Sequence, residues 1–143
     1  MAVSFSNDSI SFNLKQKTKL KSWIKSVIEK EKHILGNLNY TFTSDEALLK
    51  INVEYLNHNT YTDIITFDYC EGKTVNGDIF ISVDRVEENA KKFESPFEEE
   101  LHRVMIHGVL HLCGYKDKSK ADSVMMRKKE NASLKAFLSP KKG

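Results

Sequence analysis

A chain of 143 residues, 40% hydrophobic and 29% charged, has the length and balance of one soluble domain with a sizeable core. Its formal net charge is only +2, so overall charge selects no partner, and its two cysteines exclude a disulfide scaffold and suit a reducing cytoplasm. No window is apolar for long enough to span a bilayer, and the first residues lack a basic start followed by an apolar run, so neither membrane insertion nor secretion is expected.

Residues 10–14 alternate apolar and polar, which predicts a short strand. Leu20, Trp23, Ile24, Val27 and Ile28 recur at helical spacing among lysines, predicting an amphipathic helix over about 16–31 with Trp23 in the core. Asn39 to Thr43 reads as a strand. Ser44 or Asp45 is placed to cap a helix over 46–56. Asp63 to Tyr69 is β-branched and aromatic, and Gly77 to Val83 is a second such run. The turn Glu71-Gly72-Lys73 between them predicts a hairpin. Asp84 is placed to cap a helix to about Phe93, and Pro96 suits the first turn of a long helix over 97–112. A last helix, 119–137, is expected to pack through Val124, Met125, Leu134 and Phe137, with 138–143 as a disordered tail. Interspersed helices and strands predict a single α+β domain over 1–143, with a mixed sheet of about four strands packed with helices.

The chemistry concentrates at Met105–Asp117. His107 and His111 stand four apart on a largely apolar helix, so both imidazoles share a face at the edge of its buried stripe. Two readings fit such a pair: hydrogen-bonded core histidines, or two ligands of one metal ion. Gly114 offers a helix stop, after which Asp117 could bring a carboxylate back to the same point. Three protein ligands would leave a fourth position open, as in catalytic zinc sites. The residue after the first histidine is Gly108, not the glutamate that serves as base in HExxH peptidases, which disfavours peptide hydrolysis. Gly108 instead permits close approach of substrate or another backbone. His102 lies about 140° around the helix from His107 and is expected at the surface, whereas Cys113 is expected to be a small buried residue. From Lys116 onward basic residues outnumber acidic ones, so that end could form a surface attractive to a polyanion or simply a solvated helix face.

His107-Gly-Val-Leu-His111-Leu-Cys-Gly114-Tyr115 closely resembles the HGxLHLxGYDH signature of the YbeY family. Asn52, Tyr55, Thr62 and Asp63 followed by Ile-Ile-Thr-Phe, and Gly77-Asp78-Ile79, resemble its other motifs in the same order. The resemblance implies a cytoplasmic, metal-dependent endoribonuclease acting on single-stranded RNA. It further implies a role in ribosomal RNA maturation, including 16S 3′-end processing and ribosome quality control, with the small ribosomal subunit as partner and zinc as the usual metal. The implied ligands are His107, His111 and Asp117, through which catalysis would run. Two positions depart from the family pattern. Asp117 stands where the family has its third histidine, and Leu56 stands where it has an arginine. His58 and the basic C-terminal residues are possible substitutes for that arginine. An assembly factor with a structural metal and little nuclease activity is the alternative.

Overall fold

The computed structural model describes residues 2–138. Its framework is a four-stranded sheet in the order β1-β2-β4-β3, built from β1 (Ala2–Asn7), β2 (Ile34–Thr43), β3 (Ile64–Asp68) and β4 (Thr74–Ser82). β1 runs parallel to β2 and β2 to β4, while β3 pairs antiparallel with β4 as the expected hairpin. The helices are α1 (Lys17–Lys30), α2 (Asp45–Leu56), α3 (Val83–Lys92), α4 (Phe97–Leu112) and α5 (Lys120–Leu138). The mixed α+β architecture is therefore the expected one.

Several local expectations change. Residues 10–14 form no strand; the N-terminal strand is β1, which claims the free edge of β2. Leu14 is nevertheless buried, and Ile10 and Phe12 pack against the core, so the alternation there reports burial without strand pairing. β2 starts five residues earlier than expected because Ile34 and Leu35 still pair with Thr74 and Val75 beyond an irregularity of the ladder between Leu35 and Leu38. Gly36 sits in that irregularity, where any Cβ would overlap the Asn76 side chain. α3 is capped by Ser82, whose hydroxyl accepts from the Arg85 amide at 3.1 Å, and not by Asp84. In α5, Val124 and Met125 are exposed; Met126, Glu130, Leu134 and Phe137 make its buried face. Residues 139–143 of the expected tail lie outside the described residues.

α4 is the hub. It packs against β3, β4, α1, α3 and α5, and its buried residues lie on more than one side. Two contacts fix it on the sheet. Gly108 is buried so close to the strands that a Cβ there would lie 3.0 Å from both Ile64 Cδ1 and Ile79 Cδ1. The fully buried Tyr40 of β2 donates its hydroxyl to the Met105 carbonyl at 2.9 Å. Beside it, packed on β2, α4 and α5, α1 buries the predicted stripe of Leu20, Trp23, Ile24, Val27 and Ile28. His102 is buried rather than exposed, wedged between Trp23 and Phe137 with ring centroids at 6.1 and 4.6 Å.

A candidate metal centre at the end of the histidine helix

The end of α4 shapes the site. Gly114 adopts φ +108°, its amide donates to the His111 carbonyl at 3.0 Å, and the Tyr115 amide donates to the Leu110 carbonyl at 3.0 Å. These are the paired bonds of a Schellman stop. The stop aims the Tyr115 carbonyl back at the helix, where it accepts from His111 Nδ1 at 2.7 Å. It also turns the chain so that Asp117 returns beside the helix, its Oδ2 3.4 Å from His107 Nε2. The two imidazoles tilt toward one another with centroids 5.9 Å apart, His107 partly buried and His111 exposed.

His107 Nδ1 donates to Glu130 Oε2 at 2.6 Å. Both histidines therefore face pure acceptors at Nδ1, a carboxylate and a carbonyl. That fixes the proton on Nδ1 and leaves the lone pair of the neutral ring on Nε2. A metal-binding histidine needs this arrangement, with its second nitrogen oriented by an outer acceptor. Among the described residues no group of three His, Cys, Asp or Glu side chains stands in a closed cluster around one point. The donor set of two imidazoles and an exposed carboxylate nevertheless has the chemistry of a borderline divalent ion, and its outer partners are in place.

Glu130 was not singled out from the sequence. It lies 23 residues from His107 and inside α5, yet a signal existed. It falls at helical spacing with Met126, Ser133, Leu134 and Phe137, so a carboxylate occupies a buried face and needs a partner. It has several: besides His107, Arg103 lies at 3.1 Å and Arg127 at 3.8 Å. Burial would raise its pKa, but the His107 hydrogen bond and charge prevail and hold it below the usual carboxylate range. For His107, burial acts downward. The Glu130 hydrogen bond and the charges of Glu130, Asp117 and Asp63 outweigh it and raise the imidazole above its ordinary value.

Two clefts meet at this point. One, of about 430 Å³, is lined by Asn52, Leu56, His58 and Thr62 together with both histidines and Asp117. The other, of about 330 Å³, runs past Phe93, Arg103, Arg127 and Glu130. Asp63, Ile64, His107 and Asp117 line both. Asp63 has its pKa raised by burial, against the opposing pull of His107. Leu56 thus stands in the cleft wall, where His58 accompanies it, and Arg127 reaches the second cleft. Gly108, by contrast, faces Ile64 and Ile79 in the core, so it brings helix and sheet together and offers no approach to substrate. Cys113 is half-buried; burial pushes its thiol up to about 12, so it stays a neutral thiol.

Comparison with known proteins bears on the family and the fold. The family model described as Endoribonuclease YbeY matches residues 3–138. A protein named Endoribonuclease YbeY from Flavobacterium psychrophilum is 55% identical over 135 residues, covering 94% of this chain and 96% of that protein. One of the same name from Bacteroides fragilis is 45% identical over 134 residues, covering 94% and 96%. A solution structure of a protein from Thermotoga maritima superposes with a TM-score of 0.68 at 27% identity, covering 94% of this chain and 88% of that one.

Proposed function

This chain belongs to the YbeY endoribonuclease family, and from that premise we propose that it is a metal-dependent endoribonuclease that cuts single-stranded RNA. His107, His111 and Asp117 would hold one divalent ion, zinc by the nature of the donors. Such an ion lowers the pKa of water and offsets charge on a phosphoryl oxygen. The observation that carries the reading is the double anchoring of the imidazoles, Nδ1 to Glu130 at 2.6 Å and Nδ1 to the Tyr115 carbonyl at 2.7 Å, which leaves both Nε2 atoms as donors at the cleft.

Each residue then has a task. Glu130 and the Tyr115 carbonyl hold the rings in one tautomer. Asp63, at the junction of the clefts with a pKa raised by burial, is positioned to exchange a proton with an attacking or leaving oxygen. Arg127, at the second cleft, and His58, at the first, supply positive or donor character near a phosphodiester, where Leu56 supplies none. The buried position of Gly108 leaves no base next to the first histidine, which opposes a peptidase. The substrate we favour is ribosomal RNA, with 16S 3′-end maturation on the small subunit in the cytoplasm as the setting. The names of the relatives support the endoribonuclease part of this proposal.

The test joins metal analysis to cleavage of an unstructured RNA by the wild type and His111→Ala. Stoichiometric zinc with cleavage that the variant loses is the expected result. Stoichiometric metal without cleavage above the variant's background overturns the nuclease assignment. A 2′-deoxy substitution at the cut site decides the chemistry: cleavage that survives it is hydrolytic, and cleavage abolished by it, with a cyclic phosphate from the unmodified strand, uses the 2′-hydroxyl.

A further inference from the structure

Positive charge is gathered on two helices of this molecule. α1 carries five lysines and a single carboxylate, Glu29, in its outer face. α5 carries Lys120, Arg127, Lys128, Lys129 and Lys135 against Asp122 and the buried Glu130. The whole chain is only +2, so the rest is net negative, including the three consecutive glutamates that open α4. The two basic helices touch. Trp23 Nε1 of α1 donates to the Ser133 carbonyl of α5 at 2.8 Å, and its ring meets Phe137 edge-on at 4.9 Å.

The wheel of α1 sorts its lysines. Lys17, Lys21 and Lys25 stand one turn apart along the flank toward β1, where Lys21 Nζ lies 5.8 Å from the Phe5 ring. Lys19 and Lys30 lie along the opposite flank, Lys19 with its ammonium 4.2 Å above the Phe137 ring. Between the two rows run the short, exposed side chains of Thr18, Ser22 and Ser26. This is a shallow cationic track roughly 20 Å long. Its end is tied to the segment that leads to the site: the residue after α1, Glu31, accepts from the Tyr115 hydroxyl at 2.7 Å and from Lys129 of α5 at 3.3 Å, the Tyr115 carbonyl holds His111, and Arg127 of α5 lines the second cleft.

The kind of RNA follows from what the face lacks. Single strands are held by stacking bases on aromatic rings, whereas duplex RNA is contacted through its phosphates and shape. Among the described residues the exposed aromatics Tyr55, Tyr61, Tyr69 and Phe93 all lie outside α1 and α5. We propose that the α1–α5 face docks the phosphate backbone of double-helical RNA that flanks the single-stranded segment entering the cleft. The proposal rests on the endoribonuclease reading for the occupant of the cleft.

Two RNAs of equal length test it, a hairpin with a single-stranded tail and an unstructured strand. Their binding is followed by fluorescence anisotropy across a salt series for the wild type and for Lys17→Glu/Lys21→Glu/Lys25→Glu. The corresponding triple alanine variant serves if charge reversal disturbs folding. Hairpin affinity is expected to fall on the order of tenfold or more, and its log–log salt slope to shrink by about three. Turnover of the unstructured strand is expected to be unchanged. Unaltered hairpin affinity, or an equal loss on both RNAs, overturns the proposal. So does retained hairpin binding with lost binding to anionic phospholipid vesicles, which assigns the face to a membrane. Failure of the wild type to cut the unstructured strand overturns the endoribonuclease reading instead, and the hairpin comparison still decides the docking face.

Discussion

Glu130 Oε2 lies 2.6 Å from His107 Nδ1, and Oε1 of the same carboxylate lies 3.1 Å from Arg103. One buried side chain of α5 thereby joins two positions a turn apart on α4, an imidazole that faces the cleft and a guanidinium that neutralises the carboxylate from below. The bond to His107 orients the ring; the bond to Arg103 keeps a buried anion from standing alone.

Glu130→Gln keeps the shape and removes the charge. Zinc affinity is expected to fall by about 10–100-fold, the usual effect of losing an outer-shell carboxylate, measured by competition with a chromophoric chelator. Glu130→Ala also removes the ion pair with Arg103, which keeps its hydrogen bond to Asn131 at 2.9 Å, and a further stability loss of about 1–2 kcal/mol is expected in urea denaturation of the metal-free protein. Unchanged zinc affinity in Glu130→Gln would show that the carboxylate serves packing alone.

Asp117→His replaces an anionic donor by a neutral one. Less negative charge around the ion leaves it a stronger acid toward water. The pH at which RNA cleavage reaches half its maximum is expected to move down. Preference should also shift away from manganese toward zinc, because imidazole is the softer donor. A pH–rate profile that does not move would remove Asp117 from the ligand set.

Gly108→Ala introduces a methyl group 3.0 Å from Ile64 Cδ1 and Ile79 Cδ1. The strands and α4 must part by a few tenths of an ångström, at an expected cost of about 1–3 kcal/mol in unfolding free energy. Cleavage should drop with it, because His107 is the adjacent residue. Full stability in denaturant melts would mean the core absorbs the methyl freely.

His102 has its pKa lowered from 6.5 by burial. In the unfolded chain it takes a proton near 6.5, while in the fold it resists protonation. Its contribution to stability is therefore complete above that pH and is lost as pH falls below it, until the native ring itself is charged. His102→Leu should flatten the fall in Tm between pH 7 and 5 relative to wild type. Identical pH slopes for the two proteins would contradict this placement.

The histidine pair, the stop at Gly114 and the return of Asp117 were legible because each is local: a four-residue spacing, one φ-permissive residue and a three-residue reach. The sheet class was legible from its β-branched runs. Glu130 was not, because its partner lies on another helix and only the phase of α5 hints at it. His102 was misplaced because a single-stripe wheel assumes one buried face, whereas α4 is covered by sheet and helices together. Residues 10–14 misled because alternation records which side chains are buried and says nothing about whether a neighbouring strand has a free edge.

The Tyr40 hydroxyl, sealed in the core and bonded to the Met105 carbonyl, sets the height at which α4 rides on β2. The two histidines begin two residues beyond that carbonyl, so their place against Asp63 and Ile64 at the sheet side of the cleft is maintained only while the sheet stands. An ion held there would bind the folded chain and not the unfolded one. Occupancy and global stability would then be a single equilibrium: loading the centre would raise Tm in proportion to the logarithm of free metal, and loosening the core at Tyr40 would weaken an affinity whose ligands it never touches.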